Sequence, residues 1–185
     1  MDAMSMNVQR GDAPDEIFDV VNERDEIVGQ ATRREVHARG LRHRAVHVLV
    51  FNAAGQIFLQ KRSMKKDASP GCWDSSCSGH VAAGEDYDAT VVRELNEEIG
   101  LRVPAAPPRW FRVEACADTG EEFVWAYRLQ AEGPFQPNPD EIERAAWFVP
   151  TEVTAWMKAK PGEFAPAFRL IWKMARAKIE GSFQN

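Results

Sequence analysis

Cysteine is scarce in this chain: Cys72, Cys77 and Cys116 are the only three among 185 residues. An odd number cannot pair completely and no CxxC spacing occurs, so a disulfide framework is not expected and a reducing compartment, the cytoplasm, is. Long apolar runs are missing as well. No stretch reaches the roughly 18 residues of a membrane span, and Met1 to Pro14 lacks the apolar segment of a signal peptide, so no membrane partner is expected. Nor is there an excess of positive charge. Lys plus Arg number 23 against 28 Asp plus Glu, a net of -5, which is the wrong footprint for a general nucleic-acid binder. A polyanionic ligand must therefore be held by a local basic patch or a metal. What is present is core material: hydrophobic residues make up 44% and charged residues 28%, enough to fill a core unaided. Internal repeats and a separating linker are absent. The expected organisation is a disordered leader over residues 1–15 and a single domain over 16–185.

Patterning divides the rest. Ile17 to Val21 and Ile27 to Gln30 flank a polar turn and read as a hairpin; Thr32 to Ala38 reads as a short helix ending at Gly40. Val46 to Phe51 and Ile57 to Gln60 form a second hairpin. Ser63 to Gly84 is too irregular for one element and too long for an idle loop. Asp86 caps a helix reaching Ile99, closed by Gly100. Strands are expected at Trp110 to Cys116, Phe123 to Leu129 and Ala145 to Val149. One tail helix is expected to carry Phe164, Phe168, Ile171, Trp172 and Ala175 as a core stripe.

The stretch Gly79 to Leu101 carries chemistry. On a helix advancing about 100° per residue, Glu94, Glu97 and Glu98 fall within a sector of about 100°, opposed to Val92, Leu95 and Ile99. Three carboxylates at i, i+3 and i+4 repel one another unless a cation stands among them. Oxygen-only ligands on a helix suit Mg²⁺, with Mn²⁺ as a substitute, and such an ion neutralises phosphates and acidifies a bound water. The competing reading is a solvated acidic face. Arg93, beside Glu94, can grip a carboxylate bidentately, with Glu85 the expected partner.

Gly79, Glu85, Arg93, Glu94, Leu95, Glu97, Glu98, Gly100 and Leu101 match every fixed position of G-x5-E-x7-R-E-U-x-E-E-x-G-U, the Nudix box, where U is a bulky aliphatic. The chain therefore resembles the Nudix family. The resemblance implies a Nudix-like α/β/α sandwich around a mixed β-sheet, with a loop-helix-loop at Gly79 to Leu101. It implies a Mg²⁺- or Mn²⁺-dependent hydrolase that cleaves a diphosphate linkage in a nucleoside diphosphate linked to another moiety. Carried over, the Gly79 carbonyl and the carboxylates of Glu94, Glu97 and Glu98 are metal ligands. Glu94, with Arg93 and Glu85 behind it, is the first candidate base; Glu141 and Glu143, expected on a loop, are the reserve. A small-molecule diphosphate is the expected partner, and a homodimer is the assembly open to test.

The flanks narrow the resemblance. His43-Arg44-Ala45, Gln60-Lys61-Arg62-Ser63, Pro70-Gly71-Cys72-Trp73 and Gly79-His80 are similar to the isopentenyl-diphosphate isomerases and their bacterial hydrolase relatives. Isomerases of this branch hold a metal with histidines and move protons at carbon with a cysteine and a glutamate. Here the cysteine's position is Ser78; Cys77 lies one residue off, and in an extended segment its side chain points the other way. His37, His43 and His80 resemble the metal histidines, although phosphate contact and ordinary packing remain alternatives. Glu122 is similar to one metal glutamate, but that residue's partner falls on Gly120. The isomerase set is incomplete while the box is complete, so hydrolysis is expected, with isomerisation and non-catalytic nucleotide binding as alternatives. The basic run Arg33, Arg34, Arg39, Arg42 and Arg44, continued by Lys61, Arg62, Lys65 and Lys66, is either a solvated face or a phosphate grip. The grip is assigned to Arg44, Lys61 or Arg62, and Lys65 and Lys66 to a mobile loop. Trp73 and Trp125 are read as core before base-stacking platforms.

Overall fold

The computed structural model describes residues 13–181. Most of the expected leader lies outside them; Ala13 to Asp15 already form a turn, and the Pro14 carbonyl accepts from the Arg34 N–H at 3.1 Å. Strands β1 (Ile17–Val21) and β2 (Ile27–Thr32) make the first hairpin. Its turn is held by Asn22 Oδ1, which accepts from the N–H groups of Arg24 and Glu26. Thr32 then caps α1 (Arg33–Arg39) through a reciprocal bond with Glu35, and Gly40 ends it at φ 59.

Seven strands form the main sheet: β3 (His43–Phe51), β4 (Ile57–Arg62), β5 (Trp73–Asp74), β6 (Cys77–His80), β7 (Arg109–Val113), β8 (Glu122–Gln130) and β9 (Ile142–Phe148). The sheet is mixed, because β3 runs parallel to β8 from end to end while its other pairings are antiparallel. Side-chain alternation along β3 divides the core in two. Ala45, Leu49 and Phe51 pack with Val153, Phe168, Ile171 and Trp172 from α3 (Pro150–Ala159) and α4 (Pro166–Gly181). Val46, Val48 and Val50 face Val91, Leu95 and Ile99 of α2 (Tyr87–Ile99). The result is the α/β/α sandwich that the resemblance implied.

A splay in this sheet positions the site. β3 pairs with β4 only at Val50 and Phe51, and from Ala45 to Val48 it pairs with β6 instead. The two long strands part toward the His43 end, and a cavity opens between them.

Four element boundaries differ from the sequence expectation. The tail is two helices, since Pro150 and Pro166 each sit where proline favours a helix start, and Phe164 belongs to the extended connector while its ring stays in the core. β5 and β6 arise inside the irregular segment; at two and four residues they are specified by β4 and β3, not by their own periodicity. β7 stops at Val113, because Cys116 opens a tight turn in which Thr119 Oγ1 accepts from its N–H at 3.0 Å. β9 begins at Ile142, so Glu143 stands on a strand and not on a loop. Among the described residues no helix is long and apolar enough to cross a membrane.

Candidate active site

The acidic face of α2 is oriented by one side chain. Asp86 accepts from the Ala89 N–H and sets the helix start, which leaves Glu85 just outside it, facing Arg93. Arg93 donates to Glu85 through Nε at 3.0 Å and Nη2 at 2.9 Å, and through Nη1 to Glu94 at 2.6 Å and Glu97 at 3.2 Å. Its remaining reach goes to the His80 carbonyl at 3.2 Å. One guanidinium thus aligns three carboxylates. Burial alone would raise the Glu85 carboxyl, but the bonds and charge of Arg93 hold it below the usual range.

Glu94 and Glu98 both shift the other way from Glu85. Burial pushes Glu94 up to about 8 against the pull of Arg93, with the charges of Glu98 and Glu97 adding to the rise. Glu98 is only 5% exposed and burial raises it to about 7, although the Ser78 N–H at 2.9 Å and Gln60 Nε2 at 3.1 Å both donate to it. Glu94 also lies against Gly79. A Cβ there would stand 2.1 Å from Glu94 Cδ, so only glycine lets its backbone and this carboxylate approach. Buried carboxylates at raised pKa, all oxygen donors, beside a backbone that closes upon them, fit a hard divalent cation.

These groups line a cavity of about 870 Å³ together with Arg33, Arg62 and Lys66. Each cation is held by an acid. Arg62 donates to Asp74 at 3.1 Å and to the Ala68 carbonyl; Lys66 donates to Glu141 at 2.5 Å; Arg33 grips Asp67 at 3.1 and 3.0 Å. His47, which sequence reasoning passed over, lines the cavity floor with Nδ1 2.7 Å from Ser75 Oγ. A histidine sharing a strand face with Ala45 and Leu49, inside the apolar run Val46 to Phe51, was the available signal.

The expected phosphate grip is corrected at three positions. Arg44 points to the α2 face, donating through Nε to Asp25 at 2.6 Å with its guanidinium over the Tyr87 ring. Lys61 alternates away from Arg62 along β4 and donates to Glu143 at 2.8 Å. Neither lines the cavity. Lys66 does, and its side chain is only 13% exposed, so it is not an idle loop residue.

His37, His43, His80 and Glu122 bring candidate ligand atoms within 4.8 Å of one another. Their hydrogen bonds, however, fix the proton of His80 on one nitrogen. His43 Nδ1 lies 2.9 Å from the Leu41 carbonyl and donates to it, while its buried Nε2 makes no hydrogen bond and stands 3.4 Å from Glu122 Oε1. His80 Nδ1 lies 3.0 Å from Arg33 Nη1, which can only donate; its proton is therefore on Nε2, directed to Glu122 Oε1 at 2.9 Å. Burial pushes His80 down to about 4, so it is neutral. A metal bound by both rings would need the His80 proton on the nitrogen that faces Arg33. With Arg33 in place the cluster does not fit a second metal.

Fold and site together define a hydrolase of diphosphate linkages on a mixed-sheet sandwich. The chain belongs to the Nudix family: the NUDIX domain model matches residues 41–168. It is 35% identical over 180 residues to the uncharacterized Nudix hydrolase YfcD of Escherichia coli strain K12, spanning 93% of this chain and 94% of that one. It is 33% identical over 170 residues to an isopentenyl-diphosphate Delta-isomerase of Nocardia farcinica, spanning 89% and 97%. The crystal structure of DR0079 from Deinococcus radiodurans is similar at a TM-score of 0.70 and 31% identity, over 78% of this chain and 90% of that one.

Proposed function

We propose that this chain hydrolyses the diphosphate linkage of a nucleoside diphosphate joined to another moiety, with Mg²⁺ as cofactor and Mn²⁺ as a substitute. The observation that carries the reading is the Arg93-aligned trio of Glu85, Glu94 and Glu97 opening on a cavity that also holds Arg33, Arg62 and Lys66. The Gly79 carbonyl with Glu94, Glu97 and Glu98 would hold the cation, which when bound neutralises phosphate charge and lowers the pKa of a water. Arg93 keeps these carboxylates in one arrangement, so that little reorganisation is needed during reaction. Glu94 is the first candidate for taking the proton of the attacking water. Glu141 is the reserve, and its bond to Lys66 must open before it can act. As water oxygen bonds to phosphorus, the bridging P–O bond breaks and its electron pair leaves with the departing phosphate, whose charge the cavity cations balance.

Isomerisation is disfavoured by the place of the thiol. Cys77 is fully buried, its thiol pushed far up by that burial, and it does not line the cavity, where Ser78 stands. Non-catalytic binding is the third reading; the intact box speaks against it. The three free thiols suit the cytoplasm, and self-association into a homodimer is to be checked by sedimentation. Release of phosphate or nucleotide from a panel of diphosphate compounds tests the function: turnover should require Mg²⁺ or Mn²⁺ and stop in excess chelator. Allylic product from isopentenyl diphosphate without hydrolysis would reverse the choice.

A further inference from the structure

The cations of the cavity are held by acids, whereas donors without a partner stand on another of its walls. Along β3, His47 falls between Ala45 and Leu49, on the sheet face that packs against Ala165 and Phe168. Ala165, Pro166 and Ala167, where α4 starts, line the same cavity. Two contacts tie this neighbourhood together. The Trp73 carbonyl accepts from the Ala165 N–H at 2.9 Å, and the next residue, Asp74, is neutralised by Arg62 at 3.1 Å and lies 3.7 Å from His47 Nδ1.

The backbone at the start of α4 leaves a donor over. Ala165 precedes the helix and its carbonyl accepts from the Arg169 N–H at 3.0 Å, but it has no side-chain oxygen with which to cap. Pro166 has no N–H. The N–H of Ala167, a residue that lines the cavity, meets no acceptor among the described residues, and a helix of 16 residues brings partial positive charge to this end. His47 adds a buried side chain turned to the same space: it is 4% exposed, and its Nε2 makes no hydrogen bond among the described residues. Its Nδ1 is the nearest acceptor for the Ser75 hydroxyl, at 2.7 Å against 3.2 Å for the Cys77 carbonyl, which places the imidazole proton on Nε2. Ser78, opposite His47 in the pairing of β3 with β6, lines the cavity with a hydroxyl that is equally unengaged. Unengaged N–H and O–H donors at a helix N-terminus suit an oxyanion.

We infer that the start of α4, with His47 and Ser78, is an oxyanion subsite that seats a substrate phosphate not held by the cation at α2. The inference rests on the diphosphatase reading for its ligand, but the subsite binds without turnover. Inorganic phosphate titrated into the isotope-labelled full chain in chelator tests it by nuclear magnetic resonance. The Ala167 amide and His47 Nε2 signals should move and saturate together. Ala165→Ser supplies the missing cap oxygen, so phosphate affinity should fall about fivefold or more while Tm holds or rises; damage to the fold would lower both. His47→Phe should weaken phosphate by a similar factor, and His47→Gln, which keeps a donor, should recover most of the loss. An Ala167 amide that ignores phosphate while the signals of Arg62 and Lys66 respond would overturn the inference. So would an Ala165→Ser variant that binds phosphate as tightly as the parent chain. If phosphate binds here and no diphosphate compound turns over, hydrolysis fails and the subsite stands; if such compounds turn over and Ala167 stays silent, the subsite fails and hydrolysis stands.

Discussion

Arg93 and Arg33 line the same cavity and hold its acids, yet they were assembled by different routes. Arg93 takes Glu85, Glu94 and Glu97 from one loop and helix, at sequence separations of eight, one and four. Arg33 takes Asp67 and His80 from positions 34 and 47 residues away. The first network is local and survives in any context that keeps α2 helical. The second exists only when α1, the loop after β4 and β6 have met. A site can thus combine a motif written in the helix repeat with a counterpart written only in the tertiary fold.

The strongest way to break the comparison is through the local network. Glu98→Gln and Glu97→Gln should each lower kcat by roughly two orders of magnitude or more at saturating Mg²⁺, with an unchanged far-ultraviolet circular dichroism spectrum. Gly79→Ala should follow them, since its methyl meets Glu94. Retention of most activity by Glu98→Gln would place the chemistry elsewhere.

Arg33→Met attacks the other network. Loss of a charge-assisted contact predicts a fall of roughly ten- to hundred-fold in kcat/KM. It also frees His80 Nδ1 to carry the proton, so a Co²⁺ absorption band typical of histidine ligation should appear in Arg33→Met built on Glu98→Gln. Glu98→Gln alone should lack it; an equal band in both would refute the His80 tautomer.

Protons sharpen the contrast. Burial sets Glu94 at about 8 and Glu98 at about 7, against 4.5 for a free glutamate. Between those limits the folded chain binds more protons than the unfolded one, so stability of the cation-free protein must fall as pH rises through the window. Divalent cation binding must strengthen over the same range, because both protons have to leave. Melting in chelator and in Mg²⁺, at about pH 6 and about pH 8.5, should show Tm falling in the first and the gap between them widening.

The smallest effects belong to cations outside the cavity. Arg44→Ala leaves Asp25 with the Tyr87 hydroxyl and the more distant Arg112 alone, and should lower Tm by a few degrees while KM stays unchanged. Lys61→Ala and Lys65→Ala remove surface pairs and should move stability by less than about 0.5 kcal/mol. Lys66→Ala is the contrast, with KM raised about tenfold; equal effects at all three lysines would return them to one solvated face.

Legibility in the sequence follows the same division. Asp86, Gly100 and the glutamate spacing announce α2 because capping and the 3.6-residue repeat are local rules. The hairpins of β1 with β2 and β3 with β4 were likewise legible from turn residues between β-branched runs. β5 and β6 were not, since two to four residues carry no period and their pairing partners lie far along the chain. Arg44 and Lys61 were misplaced for a related reason: a basic residue beside a strand shows its charge but not which face the pleat will give it. His47 was hidden by the apolar run around it, and the start of the tail helix by an aromatic spacing that continued from Phe164 across Pro166.

Each cavity cation already holds a carboxylate of its own: Asp67 on Arg33, Asp74 on Arg62, Glu141 on Lys66. In a chain of net charge -5, the side chains by themselves therefore offer an arriving phosphate no open positive field to draw it in from a distance. It enters by anion exchange, taking over hydrogen bonds that an internal acid gives up. Encounter should accordingly proceed at an unsteered rate that ionic strength barely changes, and selection among anions is deferred to residence: a compound that cannot displace the resident carboxylates leaves as quickly as it came.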